Sequence, residues 1–285
     1  MTTVYLHIGN PKTGTTLIQY FFFKHRRAFL KQGLLYPIDD EHNGKEKFAH
    51  TNLSEALIQE RNTKKNEDKP PKRIDDWEKI YQEIHALKPK YALISAENIA
   101  KLTFDEIILI KNYLSDFILK IIVYLRRQDE FLLSSHSKQV KLIRYIGSIQ
   151  EYYSKNKNRC DYYKLLESWR KVLGKENLII RIFEPNKFKN GVIGDFLECL
   201  DFNPEESQLN ISKKMNINLD RKTIKVIQLL NKILTKSLSL SSEACKKIFI
   251  RHILKNGKID RIISKIPDWL ISNDLFSENE RLEIV

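Results

Sequence analysis

Cysteine is scarce. The three present in 285 residues, Cys160, Cys199 and Cys245, are odd in number and far apart, with no C-x-x-C and no zinc spacing. That excludes a disulfide framework and a cysteine-built metal site, and suits reduced thiols in the cytoplasm. No apolar run is long enough to span a bilayer. The N-terminus enters a strand-like segment without an apolar leader, so neither an anchor nor a signal segment is expected. Internal repeats are missing, and so is the aromatic-plus-basic pattern of a nucleic-acid module. Acidic residues are in deficit: 36 Asp and Glu stand against 49 Lys and Arg, a net charge of +13. Such a balance fits an anionic ligand, an anionic polymer or a membrane surface and does not choose among them. Hydrophobic content of 42% and charged content of 30% are ordinary for a globular protein. The length fits one α/β domain with an accessory part.

What is present begins at once. Thr3-Val4-Tyr5-Leu6 is apolar and β-prone, and Leu17 to Phe29 carries apolar residues at 18, 21, 22 and 29, a helical spacing. Between them lies His7-Ile8-Gly9-Asn10-Pro11-Lys12-Thr13-Gly14-Thr15-Thr16. Strand, glycine loop, helix is an arrangement that aims backbone N–H groups and a helix N-terminus at an anion, typically a phosphate. The loop has the glycine spacing of a Walker A motif, G-x-x-x-x-G-K-[ST], with Gly9, Gly14 and Thr16 in place. Its lysine is missing: position 15 is Thr15, and the cation sits inside the loop as Lys12. A group that would reach the β- and γ-phosphates of a nucleoside triphosphate is therefore absent from its usual position.

Three further strands are expected. Tyr91 to Ser95 runs into Ala96-Glu97-Asn98; Lys120 to Arg126 is a continuous β-branched run; Leu178 to Glu184 stops at Pro185. In parallel α/β sheets ligands lie beyond the carboxyl ends of strands, which singles out Glu97 and Arg126. Arginine suits a phosphate because its fork donates two charge-assisted bonds. Ser134, eight residues later on the helix that Gln128-Asp129-Glu130 opens, offers a hydroxyl donor. His50, just before Thr51-Asn52-Leu53, is a candidate base or ligand contact, with a helix cap or surface position as the competing reading. Residues 38–90 read as a polar insertion with an exposed basic loop near 61–73, flanked by amphipathic pieces. One of these puts Trp77, Ile80, Ile84 and Leu87 on one helix face. From about Ser207 the chain reads as helices.

Pro11-Lys12-Thr13-Gly14-Thr15-Thr16 resembles the 5'-phosphosulfate loop of sulfotransferases that use 3'-phosphoadenylyl sulfate (PAPS). The strand-end Arg126 with Ser134 eight residues on resembles their 3'-phosphate motif. The resemblance covers roughly residues 3–205. It implies a P-loop-like, three-layer αβα fold with a central parallel sheet and an α/β core over 1–206; the remainder, 207–285, lies outside the resemblance and reads from its residues as a helical C-terminal region packed on the core. It implies transfer of a sulfuryl group from PAPS to an acceptor hydroxyl or amine, a carbohydrate among the candidates, without a metal. Pro11, Lys12, Thr13, Gly14, Thr15 and Thr16 would hold the 5'-phosphosulfate, with Lys12 on the leaving group. Arg126 and Ser134 would take the 3'-phosphate, Phe183 would lie near the adenine, and Glu97 or His50 would be the base. The late Arg-Lys-Gly clamp of animal cytosolic members is missing, and Lys213-Lys214 do not replace it as a motif. A P-loop kinase or NTPase, and a non-catalytic nucleotide- or glycan-binding protein, are the competing classes.

Overall fold

The computed structural model describes residues 1–42, 45–63, 75–142, 145–202, 224, 227–229 and 231–232. In chain order, β1 (Thr3–Ile8) leads through the glycine turn to α1 (Thr15–Lys31), then to a two-residue strand, β2 (Leu34–Leu35). A hairpin, β3 (Asp39–His42) and β4 (Lys45–Lys47), precedes α2 (Thr51–Thr63) and α3 (Asp75–Leu87). β5 (Tyr91–Ala96) ends in a 3₁₀ turn, Glu97–Lys101, followed by α4 (Phe104–Tyr113) and β6 (Ile118–Leu125). After α5 (Gln128–Lys141), α6 (Ile149–Asn156) and α7 (Tyr162–Leu173) come β7 (Leu178–Ile182) and α8 (Gly191–Glu198).

The main sheet has the order β2-β5-β1-β6-β7, and every pairing in it is parallel. Helices cover both faces, which is why β1, β5 and β6 read as near-continuous apolar runs. On one face Val4, Leu6, Ile8, Ile94, Ile121 and Val123 pack with residues of α2, α3, α4 and α7, among them Trp77, Ile110 and Trp169. On the other, Tyr5, Leu93, Ile122 and Tyr124 meet Ile18, Phe22 and Phe29 of α1 and Phe196 of α8. Alternation along β1 sends even positions to the first face and Tyr5 to the second, as a period of two requires. The chain is thus a three-layer αβα structure. The strand sequence leaves β1 toward β2 and β5 on one side and then resumes with β6 and β7 on the other. The turn of direction lies between β1 and β6, where such sheets open a ligand crevice.

The described residues divide into two units, Met1–Arg126 with Tyr162–Lys214, and Arg127–Asp161 with Met215–Val285. In the second unit Phe131, Leu132, Ile149 and Tyr152 form a core of their own. Ser148 caps α6 by accepting from the Glu151 N–H. The boundary expected at 206 falls outside the described residues, as do Cys245, Lys213-Lys214 and most of the expected C-terminal helices. Ile224 and Ile227 are helical and buried. Among the described residues no helix is long and apolar enough to cross a membrane.

The two amphipathic pieces pack as their spacing predicts, and one detail, at Leu87, differs. α2 and α3, within the stretch read as a polar insertion, supply Leu53, Leu57, Trp77, Ile80 and Ile84 to one of the two main cores. Leu87, placed by spacing on the buried face of α3, is 49% exposed, because it is the helix's last residue and lies past its final packed turn. The indole of Trp77 also donates to the Leu53 carbonyl (3.0 Å), so α3 is tied to α2 by a directional bond as well as by packing. Truncating Trp77 to Ala should cost about 3–5 kcal/mol, measured by urea unfolding followed by far-ultraviolet circular dichroism. A loss below about 1 kcal/mol, the size of a surface change, would remove α3 from the core.

Candidate functional site

The glycine turn is built by its neighbours in the sheet. Register pairs Ile8 with Ala96, and the Gly9 N–H continues the ladder to the Ala96 carbonyl at 3.3 Å. Gly9 therefore stands beside Glu97. A Cβ on Gly9 would lie 2.6 Å from Thr15 Cγ2 and 3.1 Å from Glu97 Cγ, so only glycine fits. The chain then turns through two left-handed residues, Lys12 at φ +74° and Gly14 at φ +78°. For Gly14 that conformation is free of penalty; for Lys12 it costs about 1 kcal/mol. A Cβ at Gly14 would also press to 3.0 Å from Val192 of α8 and 3.6 Å from the Phe183 ring. The Thr13 hydroxyl closes the turn by donating to the Asn10 carbonyl (2.6 Å).

At the start of α1 the Leu17 and Ile18 N–H groups both return to the Gly14 carbonyl. Gly14 offers no side-chain cap, and the first turn has no acidic residue. The helix itself supplies neither a capping side chain nor an acid at its positive end; the carboxylate beside it is that of Glu97, bonded by the Thr15 hydroxyl at the first helical position. Asn10, buried in the turn, has a side-chain N–H₂ with no partner.

The two strand ends flanking β1 complete the arrangement. From β6, Arg126 Nη1 donates to the Lys12 carbonyl (3.1 Å), and its guanidinium lies 5.7 Å from the Phe183 ring centroid. The Tyr162 hydroxyl holds the Arg126 carbonyl at 2.6 Å. From β5, Glu97 accepts a hydrogen bond from the Thr15 hydroxyl. Lys12, Thr15, Glu97, Arg126 and Phe183 thus come together around the turn. Pro11 and Gly14 are half-buried in it, Thr13 is buried, and Thr16 is exposed.

No family model matches the chain. An uncharacterized protein of Archaeoglobus fulgidus is 32% identical over 117 residues, which is 41% of this chain and 32% of that protein. The match spans about a third of that relative's length. A crystal structure of a sulfotransferase from Alicyclobacillus acidocaldarius superposes over 82% of this chain and 94% of its own. The TM-score is 0.47 and the sequence identity 14%.

His50 is placed differently from either sequence reading. It is buried, not on the surface, and it bonds back to the sheet. Its Nδ1 accepts from the Ser95 N–H (2.9 Å), which leaves the proton on Nε2 to donate to the Pro37 carbonyl (2.8 Å). Both ring nitrogens are occupied by backbone, so the imidazole has no lone pair for an acceptor's proton. Burial pushes its pKa down to about 4, against a smaller upward pull from the two backbone bonds. Ser95 is also 2.8 Å from Nδ1 of His7, a fully buried residue of β1 whose pKa burial pushes down to about 3. This polar layer beneath the turn was invisible in sequence, because its members lie 45 and 88 residues apart. Ser134 lies in α5, half-buried, within the second unit. In the same unit Arg127 is committed to both oxygens of Asp129, at 2.8 and 2.7 Å.

The two buried histidines set a pH dependence. Unfolded, each takes up a proton near pH 6.5; folded, neither does until about 4 or below. Stability contributed by the neutral rings is complete above pH 6.5 and is lost as pH falls. At pH 5 the loss should be about 2 kcal/mol for each ring. Urea unfolding at pH 7 and pH 5 should show it, and His50→Gln, though less stable at pH 7, should show a shallower decline. Equal midpoints at the two pH values for the parent would contradict the burial of these rings.

Proposed function

We propose that this chain is a sulfotransferase that moves a sulfuryl group from PAPS to an acceptor hydroxyl or amine, releasing adenosine 3',5'-bisphosphate. The observation that carries the reading is the junction of Arg126 with the carbonyl of Lys12. It draws a guanidinium to the rim of a glycine turn that leads into a helix N-terminus, at the place where the strand order reverses. A guanidinium beside the turn is what a nucleotide charged at two ribose positions would need for its second phosphate.

PAPS supplies an activated sulfuryl group on a phosphate leaving group. The backbone N–H groups of residues 13–16 would take the 5' end, and the Lys12 ammonium would stabilise charge on the oxygen that departs, the usual electrostatic contribution to group transfer. Arg126 would pair with the 3'-phosphate, and by its spacing in sequence Ser134 would add a hydroxyl donor. Phe183, with Arg126 over its ring and Gly14 against its edge, offers an apolar wall for the base. Glu97 would accept the acceptor's proton as its oxygen bonds to sulfur and the sulfur–phosphate oxygen bond breaks. Of the two base candidates only Glu97 is carried forward. A carbohydrate acceptor and a cytoplasmic setting are kept as proposals resting on sequence.

A kinase or NTPase is the second reading, and position 15 weighs against it. The residue where a triphosphate lysine belongs is a threonine, 2% exposed, with its hydroxyl on Glu97. Titration calorimetry with adenosine 3',5'-bisphosphate, ADP and Mg-ATP separates the classes. Adenosine 3',5'-bisphosphate should bind at least tenfold more tightly than ADP, and Arg126→Ala should erase most of that preference, a loss of about 1.5–3 kcal/mol for a charge-assisted pair. Lys12→Ala should lower turnover about 100-fold or more with a smaller effect on binding. Preference for Mg-ATP would end the sulfotransferase reading. Nucleotide binding without transfer in the parent, unchanged by Glu97→Ala, would mark a binding protein.

A further inference from the structure

Taking the sulfotransferase reading as its basis, we propose that Thr15 is a positioning residue whose side chain serves Glu97 and not the bound nucleotide. The family resemblance assigns the whole Pro11–Thr16 run to the phosphosulfate. In this chain the two threonines at the helix start have parted. Successive helical residues point about 100° apart: Thr16 is exposed, while Thr15 is 2% exposed and its hydroxyl donates to Glu97 Oε1.

Packing holds that orientation. Threonine in a helix divides between two χ1 rotamers, and here its methyl settles the choice. Thr15 Cγ2 lies under Gly9, 2.6 Å from where a Cβ would stand, and Glu97 Cγ closes the other side of the same spot at 3.1 Å. With the methyl wedged there, Oγ1 turns to the carboxylate. The Glu97 side chain is in turn held between the Gly9 backbone and α1, at the first position of its 3₁₀ turn.

The consequence is chemical. Oε1 is engaged by a neutral hydroxyl, so the second oxygen is the one presented to an acceptor's proton. The same residue contributes its backbone N–H to the uncapped end of α1. One residue therefore binds the anion through its main chain and aims the base through its side chain. That sets the distance between the departing group and the proton acceptor without any further contact.

The test uses the full-length protein with three substitutions, Thr15→Val, Thr15→Ser and Glu97→Gln, and the double variant of Thr15→Val with Glu97→Gln. Calorimetry with adenosine 3',5'-bisphosphate reads nucleotide binding. Release of labelled sulfate from PAPS under single-turnover conditions, with water as the acceptor, reads transfer. Thr15→Val keeps the shape and loses the donor: transfer should fall about 10- to 100-fold, the scale of a misaligned base, while nucleotide Kd stays within about twofold. Thr15→Ser keeps the donor and should recover most of the rate. In the double variant, removing the hydroxyl should cost nothing beyond Glu97→Gln, since residues acting through one group are not additive. A Thr15→Val protein that binds nucleotide tenfold more weakly at an unchanged transfer rate overturns the assignment, as do additive losses in the double variant or failure of Thr15→Ser to recover. A parent that does not bind adenosine 3',5'-bisphosphate, or that binds it but transfers no sulfuryl group from PAPS to water or to hydroxyl and amine acceptors, overturns the functional reading and takes this assignment with it.

Discussion

Gly9 has no side chain because two others occupy its place. Thr15 from α1 and Glu97 from the end of β5 converge on the same few ångströms, and the parallel register that pairs Ile8 with Ala96 brings them there. From this single close approach much of the site follows. The helix must start where it does, the carboxylate must stand against it, and the turn between must pass through left-handed backbone at Lys12 and Gly14. One of those residues is not glycine, so some strain is stored at the one lysine in the turn. Its carbonyl is the group that Arg126 binds.

The floor beneath the turn is polar, which is unusual for the centre of a sheet covered on both faces. His7, Ser95 and His50 share hydrogen bonds there, and Gln19 of α1 reaches the Ser95 carbonyl at 3.3 Å. These bonds tie β1, β5, α1 and the segment before α2 to one another at the end of the sheet where the site lies. An apolar filling would give comparable burial without fixing the strand ends. Neutral imidazole suits the task at His50, which accepts on Nδ1 and donates from Nε2, while His7 meets Ser95 through Nδ1. The arrangement commits both nitrogens of His50 to backbone groups.

Charge is distributed with similar economy. The chain is strongly basic, yet the charges gathered around the turn are few: Lys12 and Arg126, the helix end, and the carboxylate of Glu97. The neighbouring Arg127 is balanced by Asp129. The overall excess of Lys and Arg is thus a poor guide to the site; position at a strand end is the better one.

What the sequence determined by itself is local. Continuous apolar runs in β1, β5 and β6 announce strands covered on two faces. The Gly9–Gly14 spacing announces a turn between strand and helix, and Glu97 and Arg126 stand out as charges placed where such runs stop. Each of these is a property of consecutive residues, of backbone freedom and of burial, and needs no knowledge of partners. Tertiary structure decided the rest. It set the strand order that puts β5 on one side of β1 and β6 on the other, and with it the junction of Arg126 with Lys12. It buried His50 and committed both of its nitrogens, turned Thr15 toward Glu97, and recruited α2 and α3 into the core although much of the stretch around them is polar. Strand β2 went unread because two residues carry no periodicity. These features depend on register between segments tens of residues apart, where a shift of one position would send every side chain to the opposite face, and no local pattern encodes that pairing.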